Sequence, residues 1–227
     1  HVVQRANEDA DAVTFPNIDD FNTNKLASYW LSLRERNDEY INCTDSSGQL
    51  RIYGGEALTG NGKVHMVVRR QTAFSFEAAT IVKTNFVHEN DACGIVCFQN
   101  EKFHFRLQMV LRGKLVVLQL IKVSNGNEEV LAEDILTGAS STNVFCTLRV
   151  VAEKQSLFFE YGPDERNMHM FKNEVDASIL SQEKAGGFVG TVVGVFATSG
   201  TGTENKEFYA DFDWFRYENI GRDWISL

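Results

Sequence analysis

The sequence predicts an all-β protein of the sandwich or barrel class, and three observations carry that prediction. Residues 103–111 alternate: Phe103, Phe105, Leu107, Met109 and Leu111 are apolar, while His104, Arg106 and Gln108 between them are polar. A period of two is what a strand with one buried face requires. Turn dipeptides punctuate the chain, Arg112-Gly113 and Asn125-Gly126 among them, the second suiting the positive φ at both centres of a tight hairpin. No window of a dozen residues shows a helical stripe. Short strands with turn signals every eight to twelve residues are the pattern of sandwiches and barrels.

In chain order, residues 1–13 are polar and acidic and are expected to be a tail or interdomain linker. A first strand is expected near Val13–Phe21. Further strands are predicted at Gln49–Tyr53, Val64–Gln71 and Ala73–Val82, runs rich in β-branched and aromatic residues. The stretch A-C-G-I-V-C-F at 92–98 reads as another strand, followed by the alternating run and the two hairpins after it. Val144–Ala152, Ser156–Tyr161, Val189–Thr198 and Phe208–Tyr217 complete the set. Asp176–Gln182 is expected to form one helical turn, and Gly200–Asn205 a flexible loop. The only prolines, Pro16 and Pro163, fall at expected strand ends, where a missing donor is tolerated.

With 227 residues and 43% hydrophobic composition, the chain can build one sizeable core, so a single domain over residues 14–227 is expected. There are 22 Lys+Arg against 31 Asp+Glu, a net charge of −9 without a basic run, which argues against a nucleic-acid partner. Apolar runs such as Leu115–Leu118 fall far short of the ~20 residues of a membrane span. The first dozen residues lack the basic and apolar regions of a signal peptide, and the chain starts at His1, so a processed product or a piece of something longer is expected. Cys93 and Cys97 lie four positions apart on one strand, about 13 Å, too far for a disulfide. Cys43 and Cys146 are left as a pair to weigh against four buried thiols.

Nucleophile-elbow, zinc-protease and dinucleotide motifs are absent from the sequence. T-G-N-G-K-V at 59–64 departs from a phosphate loop, with Val64 where Ser or Thr is needed. His1, His65, His88, His104 and His169 show no metal-ligand spacing. Asp211 and Asp213 share a face at period two and, with Asp19 or Asp20, are candidates for a structural calcium. As a glycosidase acid/base pair they lack a third carboxylate at Phe215. Trp30, Tyr53, Trp214 and Trp224 could stack on sugars, although Trp30 and Trp214 fit a core better and Trp224 is the least constrained. His104, Arg106 and Gln108, with Gln99 on a neighbouring strand, are candidate carbohydrate contacts on a concave sheet face, with a solvated face as the plainer reading. Asn42-Cys43-Thr44 is a formal glycosylation sequon.

Several segments, taken in order, resemble one particular module. These are D-D-F-N-T-N-K-L-A-S-Y-W from Asp19, G-Q-L-R-I-Y-G-G-E-A-L-T from Gly48 and V-V-R-R-Q from Val67. D-A-C-G-I-V-C-F-Q-N from Asp91, A-G-G-F-V-G from Ala185 and A-D-F-D-W-F from Ala210 follow. The likeness, over residues 15–219, is to the concanavalin A-like β-sandwich at the C-terminus of glycoside hydrolase family 43 enzymes, the β-xylosidases and α-arabinofuranosidases. It implies a jelly roll of two curved antiparallel sheets beside a five-bladed propeller that carries the catalytic carboxylates. It also implies a non-catalytic role in stabilising that propeller and shaping access to xylan- or arabinan-type substrates; the residues themselves leave an independent lectin-like module as the alternative and a self-sufficient sandwich glycanase as a third, less favoured reading. The rim-closing loop of the family corresponds to Thr59–Val64 here, with Gly60, Asn61, Gly62 and Lys63 at its tip. Gly62 stands where an aromatic is often found. No cofactor is expected apart from the candidate structural calcium at Asp20, Asp211 and Asp213, and the substrate class points to a secreted or periplasmic location.

Overall fold

The computed structural model describes residues 15–34, 36–136, 143–186 and 190–220. The first strands are β1 (Ile18–Asp19), β2 (Ile41–Asn42), β3 (Leu50–Gly54), β4 (His65–Arg70), β5 (Phe76–Asn85), β6 (Ala92–Asn100) and β7 (Phe103–Arg112). The chain continues through β8 (Leu115–Ser124), β9 (Asn127–Ile135), β10 (Val144–Glu153), β11 (Ser156–Gly162) and β12 (His169–Asp176). A 3-10 turn (Ser178–Leu180) and the single-turn helix α1 (Gln182–Ala185) precede β13 (Val192–Thr198) and β14 (Asn205–Asn219).

Two antiparallel sheets result. One has eight strands, in the order β12-β11-β10-β5-β14-β3-β2 with β1 also paired to β14, and the other six, in the order β4-β13-β6-β7-β8-β9. The alternation along β7 sends Phe105, Leu107, Met109 and Leu111 into the space between the sheets. Val116, Leu118 and Leu120 of β8 join them, opposite Phe208, Phe212 and Phe215 of β14. Each such side chain contributes about 1.5–3 kcal/mol on burial, so this shared core holds the sheets face to face.

Gly94 and Gly194 sit on adjacent strands of the six-stranded sheet. A Cβ on Gly94 would overlap the Leu107 carbonyl oxygen, and one on Gly194 the Val67 carbonyl oxygen. Only glycine lets the backbones approach this closely. The Asn125-Gly126 hairpin joins β8 to β9 with φ of +52° and +79°, as the dipeptide predicts.

The first strand is shorter than expected, because the Asp19 carboxylate accepts the Phe21 amide (3.0 Å) and Phe21 adopts φ +52°, which ends the pairing. Val13 lies outside the described residues. The strand expected at Ala73–Val82 is β5, displaced towards its C-terminus, since residues 71–75 form a link in which the Gln71 amide bonds the Ala73 carbonyl. Strand β12 has no counterpart among the expectations; its polar, largely exposed residues form a sheet edge without alternation.

Trp214 departs from its expected place in the core. A register shift between Phe212 and Phe215 inverts the alternation of β14, burying Phe215 and Tyr217 and leaving Trp214 half-buried near Arg216. All four cysteines are free and buried, so Cys43 and Cys146 form no disulfide. Burial raises the thiol pKa of Cys43 to about 11 and those of Cys97 and Cys146 to about 12. Among the described residues no helix is long and apolar enough to cross a membrane.

Candidate functional site

The outer face of the six-stranded sheet is covered. From β3 the chain runs through residues 55–64 across the ends of β4, β13 and β6, burying Leu58 and Val64 against Val96, Phe98 and Phe196. The backbone amide of Glu56 donates to the Lys63 carbonyl (2.8 Å) and closes the base of this loop. Arg34 clamps its side: Nη1 donates to the Gly62 carbonyl (3.0 Å), and Nη2 pairs with Glu101 (2.7 Å). Lys63 pairs with Glu204, and Asn61 and Lys63 face solvent. A side chain on Gly62 would meet the Glu56 carboxylate, so an aromatic there requires Glu56 to swing away.

Beside the loop lies the polar row of β7. His104 is buried against Phe98, its Nδ1 3.2 Å from the Asn100 carbonyl and its Nε2 3.2 Å from Arg106 Nη1. Because arginine can only donate, Nε2 accepts and Nδ1 carries the proton. Burial, reinforced by the neighbouring guanidinium, pushes the His104 pKa down to about 3. Arg106 also donates from Nε to Gln108 and from Nη2 to Glu128, each at 2.8 Å. The row continues from the Gln108 amide to Gln119 (3.1 Å), and from Gln119 to Glu133. A cavity of ≈ 390 Å³ opens over Arg106 and Gln108, with Glu56 and Gly60 of the loop on its wall.

The structure therefore brings the loop and part of the polar row to one cavity, but the row is not the solvated face expected of its composition. His104 and Gln108 are buried and Arg106 half-buried, and their hydrogen bonds go to one another and to neighbouring protein groups. Gln99 lies apart: it accepts from Thr191 (2.9 Å) and lines a different cavity. Glu56, Gln119, Glu133 and Arg34 belong to the arrangement and were not among the expected residues. The Arg34–Gly62 bond spans 28 positions, a distance over which the local pattern carries no signal.

The acidic candidates are dispersed over separate partners. Asp211 is held by Arg51 in a two-pronged ion pair (Nε–Oδ1 and Nη2–Oδ2, both 2.7 Å), and that guanidinium lies 3.8 Å from the Tyr209 ring centre. Asp213 is exposed and accepts from Gln49 (3.4 Å). Asp20 accepts the Asn22 backbone amide (3.2 Å), and hydrogen bonding from the Asn22 side chain, with that backbone bond, lowers its pKa. Asp19 is taken up by Tyr29 and Trp30, both donating to Oδ2 at 2.7 Å. Among the described residues no group of three or more His, Cys, Asp or Glu is placed to hold a metal ion. Tyr53 is buried with its hydroxyl on Asp45 (2.8 Å), Trp30 is in the core, and Trp224 lies outside the described residues.

Comparison with known proteins agrees with this architecture. The chain is 26% identical over 203 residues to a xylosidase/arabinosidase of Butyrivibrio fibrisolvens, covering 88% of this chain and 37% of that protein. It is 28% identical over 207 residues to a non-reducing end α-L-arabinofuranosidase of Bacteroides ovatus, covering 89% and 37%. The solved xylan β-1,4-xylosidase of Bacillus halodurans superimposes with a TM-score of 0.78 at 25% identity, covering 91% of this chain and 40% of that one. The chain thus spans little more than a third of the length of these enzymes. Residues 18–218 match the family described as the β-xylosidase C-terminal concanavalin A-like domain, and the chain belongs to that family.

Proposed function

We propose that the chain is a non-catalytic accessory domain that packs beside the catalytic propeller of a family 43-type glycoside hydrolase, stabilises it and shapes access to its substrate. The observation that carries this reading is the preorganised loop at Thr59–Val64. It is closed at its base, buttressed from below by Leu58 and Val64, and clamped by Arg34, while Asn61 and Lys63 stand exposed at its tip. A segment ordered before docking loses less entropy on binding, which suits a rim element. The printed activities of the relatives, xylosidase and arabinofuranosidase, make xylan- or arabinan-type glycans the expected substrates of the assembled enzyme. Such polymers are met outside the cell, so a secreted or periplasmic location is the matching expectation.

An independent carbohydrate-binding role for the His104–Gln108 face is the weaker reading, because Arg106 already donates from all three nitrogens to protein groups. The test is hydrolysis of aryl xylosides and arabinofuranosides. The purified chain is expected to be inactive alone and to alter the KM of a family 43 propeller made without its own sandwich. Turnover by the chain alone, unaffected by replacing Asn61 and Lys63, would overturn the proposal.

A further inference from the structure

A second and larger cavity, of ≈ 840 Å³, opens at the end of the sandwich where β4 stops and β13 begins. It shares no lining residue with the cavity over Arg106 and Gln108. One wall is the link from β4 to β5. Its shape is set by the Gln71 amide, which donates from the backbone to the Thr191 carbonyl (3.0 Å) and from Nε2 to the Ala73 carbonyl (2.9 Å). The link pushes Phe74 out to the lip, where it is 82% exposed, an unusual position for a phenylalanine.

The opposite wall is the 3-10 turn and α1. Asp176 fixes its start by accepting both the amide and the hydroxyl of Ser178 (each 2.8 Å), and Ser181 caps α1 by accepting the Lys184 amide. Thr191, bonded to Gln99, forms part of the floor. A narrower pocket of ≈ 140 Å³ shares Phe74 and Thr191 with the cleft and reaches Phe76, Cys97 and Leu157 in the core.

The chemistry of this cleft is that of amides and hydroxyls beside one exposed ring. Among the described residues the side-chain amides of Gln155 and Gln182 make no hydrogen bond, so both keep a donor and an acceptor to offer. The charges at the rim cancel: Glu183 stands beside Lys184, whose ammonium is already spent on Ser178. An anion would therefore find little to bind, and a wholly apolar ligand would strip the glutamines of water without replacing its bonds. A neutral sugar satisfies both requirements, stacking its flat apolar face on an aromatic ring while its hydroxyls exchange hydrogen bonds with amides.

We propose that this cleft is a binding site for a neutral saccharide chain, with Phe74 as the stacking platform and Gln155 and Gln182 as hydroxyl partners. The choice of pentose oligomers as probes rests on the accessory-domain reading above; the site itself does not. The experiment is titration of the isotope-labelled chain with xylohexaose, arabinohexaose and cellohexaose, followed by backbone shifts and calorimetry, for the native protein, Phe74→Ala and Gln155→Ala. Both side chains are exposed, so each variant is expected to keep the native melting temperature. At least one sugar is expected to give saturable shifts at residues 71–75, 155 and 178–184. Phe74→Ala should weaken that binding roughly tenfold, the loss expected of one aromatic stacking contact, and Gln155→Ala should weaken it less. A folded spectrum unmoved by all three sugars, shifts confined to the His104–Gln108 face, or equal binding by Phe74→Ala would each overturn the proposal. None of these outcomes involves a propeller, so association with one can fail or succeed independently.

Discussion

Asp19 shows how much a single side chain can organise. Its carboxylate receives the Trp30 indole, the Tyr29 hydroxyl and the Phe21 amide, tying the start of the sandwich to the aromatic cluster around Phe215. Asp19→Ala leaves the largely buried indole N–H without its partner, and is expected to cost about 2–4 kcal/mol in urea unfolding. A change under about 0.5 kcal/mol would contradict this account. His104 makes the corresponding prediction in pH. Its folded pKa of about 3 lies below the ordinary 6.5, so between these values the unfolded chain binds a proton that the folded chain refuses. His104 therefore contributes stability above pH 6.5 that is lost as the pH falls through that window. The native protein should lose roughly a few kcal/mol more than His104→Gln on acidification to pH 4, with the folded imidazole still neutral by NMR. A ring that titrates near 6.5 in the folded state would contradict the hydrogen-bond assignment. The sequence pattern correctly put His104, Arg106 and Gln108 on one face of β7, but could not show that face covered, because Glu128 and the 55–64 loop come from elsewhere in the chain.

Among the elements, those that were legible obey local rules. β7 is visible from its alternation and the β8–β9 hairpin from Asn125-Gly126, because both signals sit within a few residues. β12 was not visible, since an exposed edge strand has no reason to alternate. Trp214 was misplaced for a related reason: a single register shift in β14 inverts every later side chain, and nothing in A-D-F-D-W-F marks where it falls. The tightest packing is also silent in a periodicity plot. Gly94 lies between hydrophobic neighbours on β6, yet a methyl group there would strike a backbone carbonyl that cannot move without breaking the sheet. Gly94→Ala is expected to destabilise the protein by about 3 kcal/mol or to prevent its folding. An unchanged thermal melt would show that the strands have room the structure denies them.

At the scale of the whole molecule the two outer faces differ. The eight-stranded sheet carries half-buried ion pairs across neighbouring strands, Arg149 with Glu160 and Arg216 with Glu77, and Arg216 also reaches Glu165. The six-stranded sheet carries a clamped loop packed over β4, β13 and β6 and a polar network whose side chains bond mainly to one another. Sandwich class and family were legible from ordered segments of sequence, whereas the cleft behind Phe74 was not, because it is assembled from the β4–β5 link, Gln99 of β6, Gln155 between β10 and β11, and the segments 178–184 and 190–191. The accessory role is tested most directly by the melting temperature of a family 43 propeller, made without its own sandwich, with and without this chain. The account predicts a saturable rise of several degrees, roughly what 1–2 kcal/mol of linkage gives a domain of that size. A propeller that melts at the same temperature at every concentration of the chain, while the chain by itself hydrolyses xylosides, would contradict it.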